Sequence, residues 1–126
     1  MSEERKQGAS LRVLIAEDEF LVALSLEEDL RRHGCEIIGP FSKLGDARQA
    51  AEVEELDVAL LDVNMNGEMA YPVADALSAR GIAFIFLSGY GAMTFPEQYR
   101  AAPRVPKPYD PSILIKEIRK LLAAQS

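Results

Sequence analysis

Four apolar runs in this 126-residue chain each stop at a residue type that handles metal or phosphate. The run from Leu11 to Ala16 meets Glu17 and Asp18, Val58 to Leu61 meets Asp62, Ala83 to Leu87 meets Ser88, and Arg104-Val105 leads through Pro106 to Lys107. In an open parallel sheet, ligands gather beyond the carboxyl ends of the strands, so these residues would share one rim. Three carboxylates at close quarters repel and resist ionisation unless a cation joins them. Magnesium suits that setting, because it takes a few carboxylate oxygens, a carbonyl and waters, and leaves positions for phosphate oxygens. The expected direct ligands are Asp18 and Asp62, with Glu17 acting through water and the Asn64 backbone carbonyl as a third protein ligand. Asp62 is then the expected nucleophile toward a phosphoryl group, with Lys107 as a point charge and the Ser88 hydroxyl as a donor to its oxygens. A carboxylate attacks in its ionised form, so no general base is called for.

Singly, each of these residues has a plainer reading. Glu17 and Asp18 could be the acids of a helix N-terminus, Asp62 a loop cap, Ser88 in Ser-Gly a turn residue, and Lys107 a solvated charge between prolines. Their joint placement on four strand ends favours a phosphoacceptor site. His33 stands in the last turn of the first predicted helix, where a cation suits the helix dipole, and is read as structural. Cys35, in the run Cys35, Ile37, Ile38, is read as a small core hydrophobe, and as the only cysteine it can form no intrachain disulfide.

The elements that must carry this rim alternate between strand and helix. After the first strand, Phe20, Ala23, Leu24 and Leu30 recur at helical spacing from Glu19 to His33, and Gly34 supplies a stop. Cys35 to Gly39 is expected as the second strand, closed by Pro40, and Ser42 as the cap of a helix through roughly Ala47 to Glu55. The third strand ends at Asp62, and Asn66-Gly67 marks a tight turn. Pro72 opens a helix with Val73, Ala76 and Leu77 that stops at Arg80-Gly81. Ala83 to Leu87 is the fourth strand. Gly91 and Pro96 oppose a regular helix between Tyr90 and Ala102, so a short or irregular one is expected there. Asp110-Pro111 starts the last helix, whose apolar stripe is Ile113, Leu114, Ile118, Leu121 and Leu122. Tyr90, Phe95, Tyr99 and Tyr109 divide between core and a partner surface. Five strand-helix units imply a doubly wound α/β fold with a parallel sheet.

One domain, residues 11–124 after a polar tail of residues 1–10, accounts for the chain. A formal net charge of -6 is the wrong sign for binding nucleic acid, and neither a signal peptide nor an apolar run long enough for a membrane span is visible, which points to the cytoplasm.

From Leu11 to about Leu122 the chain resembles a response-regulator receiver domain of the CheY-like superfamily. The resemblance rests on Glu17-Asp18, Leu60-Leu61-Asp62-Val63-Asn64, Leu87-Ser88-Gly89 and Lys107-Pro108, which stand in the family's order. It implies a flavodoxin-like (βα)5 sheet of strand order 2-1-3-4-5. It also implies a single-domain response regulator that takes a phosphoryl group from a histidine kinase on Asp62 with Mg2+ and switches partner interactions, and that is not a turnover enzyme. Phe86-Leu-Ser-Gly-Tyr-Gly91 further resembles the FATGUY subgroup, associated with general stress signalling. That subgroup implies kinases of the HWE and HisKA2 type, and a phosphotransferase or downstream regulator as a further partner. Two departures stand out. Ser88 replaces a threonine, and Arg104 occupies the place of the family's switching aromatic. Tyr90 is expected at the mouth of the site, and Ser88, Tyr90 and Arg104 as the modulating residues.

Two other function classes fit part of the pattern. A metal-dependent phosphatase also uses an aspartyl nucleophile, but wants a second acid where Asn64 stands. A cofactor-binding flavodoxin-like module needs a phosphate-cradling loop after strand one, where Glu17-Asp18-Glu19 would repel phosphate.

Overall fold

The structure, a computed structural model, describes residues 10–88, 95–107 and 109–124. Its main strands are β1 (Arg12–Ala16), β2 (Glu36–Phe41), β3 (Val58–Asp62), β4 (Ala83–Ser88) and β5 (Arg104–Pro106). The helices between and after them are α1 (Phe20–Arg32), α2 (Leu44–Val53), α3 (Tyr71–Ala79) and α4 (Pro111–Ala124). Two-residue strands, Asn64–Met65 and Glu68–Met69, form a separate antiparallel hairpin just after β3.

The sheet runs β2-β1-β3-β4-β5 with every neighbouring pair parallel, which is the flavodoxin-like order expected from the resemblance. Parallel strands need crossovers, and helical crossovers cover both faces, so the central strands must be apolar on both sides. All five residues of β3, Val58 to Asp62, are buried. Val13, Ile15, Leu60, Ile85 and Leu87 pack under Leu26 and Leu30 of α1 and Leu114 and Ile118 of α4. The alternate residues Leu14, Ala16, Leu61 and Phe86 pack under Ala47 and Ala51 of α2 and Val73 and Leu77 of α3. This sandwich holds the ends of β1, β3 and β4 at one level, because their register pairs Ala16 with Leu61 and Asp62 with Leu87.

Several expected boundaries shift, each for a local reason. β2 continues through Pro40 to Phe41 because it is an edge strand, where a residue without an N–H costs no ladder bond on the open side. α2 begins at Leu44 with Lys43 as its N-cap and no side-chain cap, so Ser42 does not play that part. Asp110 does cap α4, since its Oδ1 accepts the Ser112 N–H at 2.8 Å and its carbonyl the Leu114 N–H at 2.9 Å. Phe20, Leu24 and Ile113, expected on apolar stripes, are exposed instead, and Leu26 fills the α1 core position. Between β4 and β5 the described residues hold one 3₁₀ turn, Glu97–Tyr99, in place of a long helix. Phe95 and Tyr99 are core, whereas Tyr109 is half-buried with its hydroxyl donating to Asp29 Oδ2 at 3.2 Å. Cys35 is half-buried beside the α1 and α4 core, and His33 places Nδ1 2.9 Å from the Asp29 carbonyl on the helix it ends.

Candidate functional site

Carboxylates end β1 and β3 because the strands run apolar to their last residue and the chain then leaves the sheet. Burial follows the side chains outward: Glu17 is 2% exposed, Asp62 6% and Ser88 4%, while Asp18 sits at the rim. One oxygen from each of Glu17, Asp18 and Asp62 lies within 4.8 Å of the others. Lys107, delivered by the end of β5, places its Nζ 2.8 Å from Glu17 Oε1, 3.3 Å from Asp62 Oδ2 and 3.5 Å from Glu19 Oε1. Its main-chain N–H donates to the Ser88 carbonyl at 2.7 Å, which ties the ends of β4 and β5 together. The strand ends thus bring together Glu17, Asp18, Asp62 and Lys107, with Ser88 buried at the end of β4 and bonded to Lys107 through its carbonyl.

The electrostatics follow from that count of charges. Burial pushes the Asp62 carboxyl up to about 8, and its hydrogen bond with Asp18 and the Glu17 charge push the same way, against the opposing pull of Lys107. Burial would raise Asp18 as well, but hydrogen bonds from Asp62, from the Asn66 N–H and from its own N–H bring it below the usual carboxylate range. Burial disfavours the Lys107 ammonium, yet its bond with Glu17 and the charges of Asp62 and Glu17 outweigh that and raise it. Without a cation, burial and the neighbouring acids thus favour the protonated form of Asp62 more than in a free aspartate. Added positive charge beside Asp62 would favour the ionised form that the expected nucleophile uses. Glu17 Oε1 is buried against the Lys107 ammonium and, as a carboxylate oxygen, has a further lone pair to offer. A hard divalent cation, which prefers carboxylate oxygens, fits this donor set.

Asn64 opens the hairpin beyond Asp62, with its N–H 3.3 Å from Asp62 Oδ1. One contribution was not visible in the sequence. The Asn66 N–H donates to Asp18 Oδ2 at 2.8 Å, across 48 residues of chain. The only sequence signal was the Asn-Gly pair, read merely as a turn. Glu19 was likewise not singled out, and its proximity to Lys107 depends on the start of α1.

Of the modulating residues, Ser88 sits in the site, and Tyr90 lies outside the described residues. Arg104 does not enter the site. Its guanidinium stacks 3.9 Å over the Phe95 ring and donates to the carbonyls of Arg100 at 2.6 Å and Tyr99 at 3.2 Å. Tyr99 in turn stacks on Tyr71 and donates its hydroxyl to Asp75 of α3. The stretch from Phe95 to Ala102 is thereby fastened to α3 on one side and to β5 on the other.

Comparison with known proteins points the same way. The response regulator receiver domain matches residues 13–119. The transcriptional regulatory protein PdtaR of Mycobacterium tuberculosis is 35% identical over 114 residues, covering 85% of this chain and 54% of PdtaR, so the chain spans about half the length of that curated relative. The solution structure of SdrG from Sphingomonas melonis Fr1 is 34% identical with a TM-score of 0.79, covering 91% of this chain and 98% of SdrG. A CheY-like receiver domain protein from Methanospirillum hungatei JF-1, at 24% identity, shares the fold with a TM-score of 0.81 over 92% of this chain and 96% of its own. By the residues at its strand ends, the order of its sheet and these likenesses, the chain belongs to the response regulator receiver domain family.

Proposed function

We propose that the chain is a response-regulator receiver that accepts a phosphoryl group from a histidine kinase on Asp62, with Mg2+ as cofactor, and switches a partner interaction in response. The observation that carries this reading is the buried Asp62 carboxylate, set 3.3 Å from the Lys107 ammonium inside a surplus of negative charge. Magnesium, when bound, offsets the repulsion between these carboxylates and the incoming phosphoryl oxygens; Asp18, Asp62 and the Asn64 carbonyl would hold it, with Glu17 reaching it through water. An ionised oxygen of Asp62 attacks phosphorus, the phosphorus–nitrogen bond of the donor phosphohistidine breaks, and the imidazole leaves with the electron pair. Lys107 then holds a phosphoryl oxygen as a point charge, and the Ser88 hydroxyl donates to another. The group is transferred once and later hydrolysed, so the chain is a switch and not a turnover enzyme.

A phosphatase reading finds no support at Asn64, which stands where the second acid would be and whose Oδ1 accepts the Gly67 N–H at 2.9 Å. Phe20 and Leu21, each 75% exposed at the start of α1, offer an apolar face beside the site for a protein donor. Among the described residues no helix is long and apolar enough to cross a membrane. The FATGUY resemblance favours kinases of the HWE and HisKA2 type, a phosphotransferase or downstream regulator as further partner, and general stress signalling as the setting. Phosphotransfer profiling against purified histidine kinases tests the proposal. At least one kinase, in Mg2+, should move label to Asp62 faster than acetyl phosphate does by about a hundredfold or more, as positioned donors do. Transfer from none of the host's kinases would overturn the kinase assignment.

The route from the site to a partner runs through Ser88. A phosphoryl group draws its hydroxyl, β4 and β5 are tied at Ser88 and Lys107, and Arg104 of β5 grips the carbonyls beyond Phe95. Only a contact that differs between the two states can shift such an equilibrium. Ser88→Ala should lower labelling of Asp62 by about ten- to a hundredfold, the worth of one hydrogen bond to a charged group. It should also abolish the change in amide hydrogen exchange that beryllofluoride, a phosphoryl mimic, causes at residues 95–102 of the parent. Equal changes in parent and variant would rule the route out.

A further inference from the structure

The tip of the Asn64–Met69 hairpin reaches across the end of β1, and the hairpin has little freedom to be elsewhere. Met65 is 1% exposed in the core, and the Ala70 N–H donates to the Val63 carbonyl at 2.8 Å, closing its base. Within the turn, Asn66 has a φ of 55° and Gly67 a φ of 87°, the pair of positive angles that defines a type I′ hairpin turn. Asn and Gly are the residues that adopt these angles with least strain. The Asn66 side chain adds a tether, with Nδ2 3.4 Å from the Ser42 carbonyl. Only with this backbone does the Asn66 N–H point at Asp18 Oδ2, 2.8 Å away. Asp18 belongs to a turn between β1 and α1, so the hairpin supplies an anchor from outside that turn.

We propose that Asn66 is a positioning residue of the acceptor site: through its main-chain N–H it fixes the rotation of the Asp18 carboxylate, and through the same turn it fixes Asn64. This rests on the reading of Asp18 and Asn64 as magnesium ligands. A ligand already held in place loses less freedom when the ion arrives, so the hairpin raises affinity without contributing an atom of its own. The device depends chiefly on backbone angle, the exposed Ser42 tether adding little, which makes it separable by substitution. Asn66→Gly keeps both the N–H and the positive φ. Asn66→Val places a β-branched residue where such residues are strained. Gly67→Ala strains the neighbouring position, and the added Cβ meets no atom within 4 Å, so nothing but the backbone is disturbed.

The test is the Mg2+ dissociation constant, measured by titration calorimetry on the unphosphorylated chain, beside thermal melting in chelator as the control on folding. Asn66→Val and Gly67→Ala should weaken Mg2+ by about three- to tenfold while melting cooperatively in chelator, and Asn66→Gly should stay within about twofold of the parent. If Asn66→Val does not fold, Gly67→Ala against Asn66→Gly makes the same comparison. Parent-like affinity in the strained variants, or a loss in Asn66→Gly as large as theirs, would overturn the inference. A parent that binds no Mg2+ at all would instead overturn the metal reading beneath it.

Discussion

Asp62→Asn should lose acid-stable, base-labile labelling by acetyl phosphate or by a cognate kinase, by at least about a thousandfold, because an amide cannot act as the nucleophile. The same variant should be more stable than the parent in chelator, with a pH signature of its own. The folded carboxyl is raised to about 8 from an ordinary value of 3.8, so the folded parent keeps a proton that the unfolded chain releases. The group's contribution is fully present below about pH 4 and is lost as pH rises through about 8. The stability gap in favour of Asp62→Asn should therefore open above pH 4 and level off above 8, reaching about 1–3 kcal/mol after the shift is discounted for solvent screening at the rim. For a chain of this size that is roughly 4–10 °C in melting temperature. Mass-spectrometric mapping of the label to His33 or to another acid would overturn the assignment of Asp62, and a gap that narrows with rising pH would overturn the electrostatic account.

Removing magnesium should come close to the same loss. In excess chelator, labelling of the parent should fall by about a hundredfold or more, since the carboxylates and the phosphoryl oxygens then face one another with only Lys107 between them. Asp18→Asn keeps the shape of the rim and its place beside the Asn66 N–H but removes one anionic ligand, so it should weaken Mg2+ by about 10- to 100-fold and slow labelling in step. Saturating Mg2+ should recover part of the labelling rate. Labelling that proceeds unchanged in chelator would show that the cluster binds no ion of consequence.

These two results concern one end of the switch, and Arg104 concerns the other. An aromatic ring at that position can swing between buried and exposed rotamers, whereas a guanidinium already bonded to the carbonyls of Tyr99, Arg100 and Ala102 and stacked on Phe95 cannot turn without breaking those contacts. Under the proposed function, coupling would be a movement of residues 95–102 together with β5 and not the flip of a single side chain. The Tyr99 hydroxyl on Asp75 fastens the far side of that segment to α3.

How much of this was legible beforehand differs by feature. The apolar runs ending in Glu17, Asp62 and Ser88 were readable because a strand buried on both faces has a sequence signature of its own, and its end is marked by the first residue that cannot be buried cheaply. The boundaries of β2 and α2 were not, since Pro40 is tolerated only because β2 proves to be an edge strand, and strand order is a property of the whole sheet. Phe20 and Leu24 fit a helical period yet face solvent, because α1 covers the sheet with Ala23, Leu26 and Leu30 and only packing decides which arc of a helix is inside. Residue types along the chain determined that carboxylates, a hydroxyl and an ammonium would gather at one rim, because local patterning sets where strands stop. Tertiary structure alone decided that burial and neighbouring acids would raise the Asp62 carboxyl, that Asn66 would grip Asp18, and that Arg104 would bind carbonyls instead of entering the site. Each of those outcomes is set by distances and burial between segments far apart in sequence, and no local pattern encodes them.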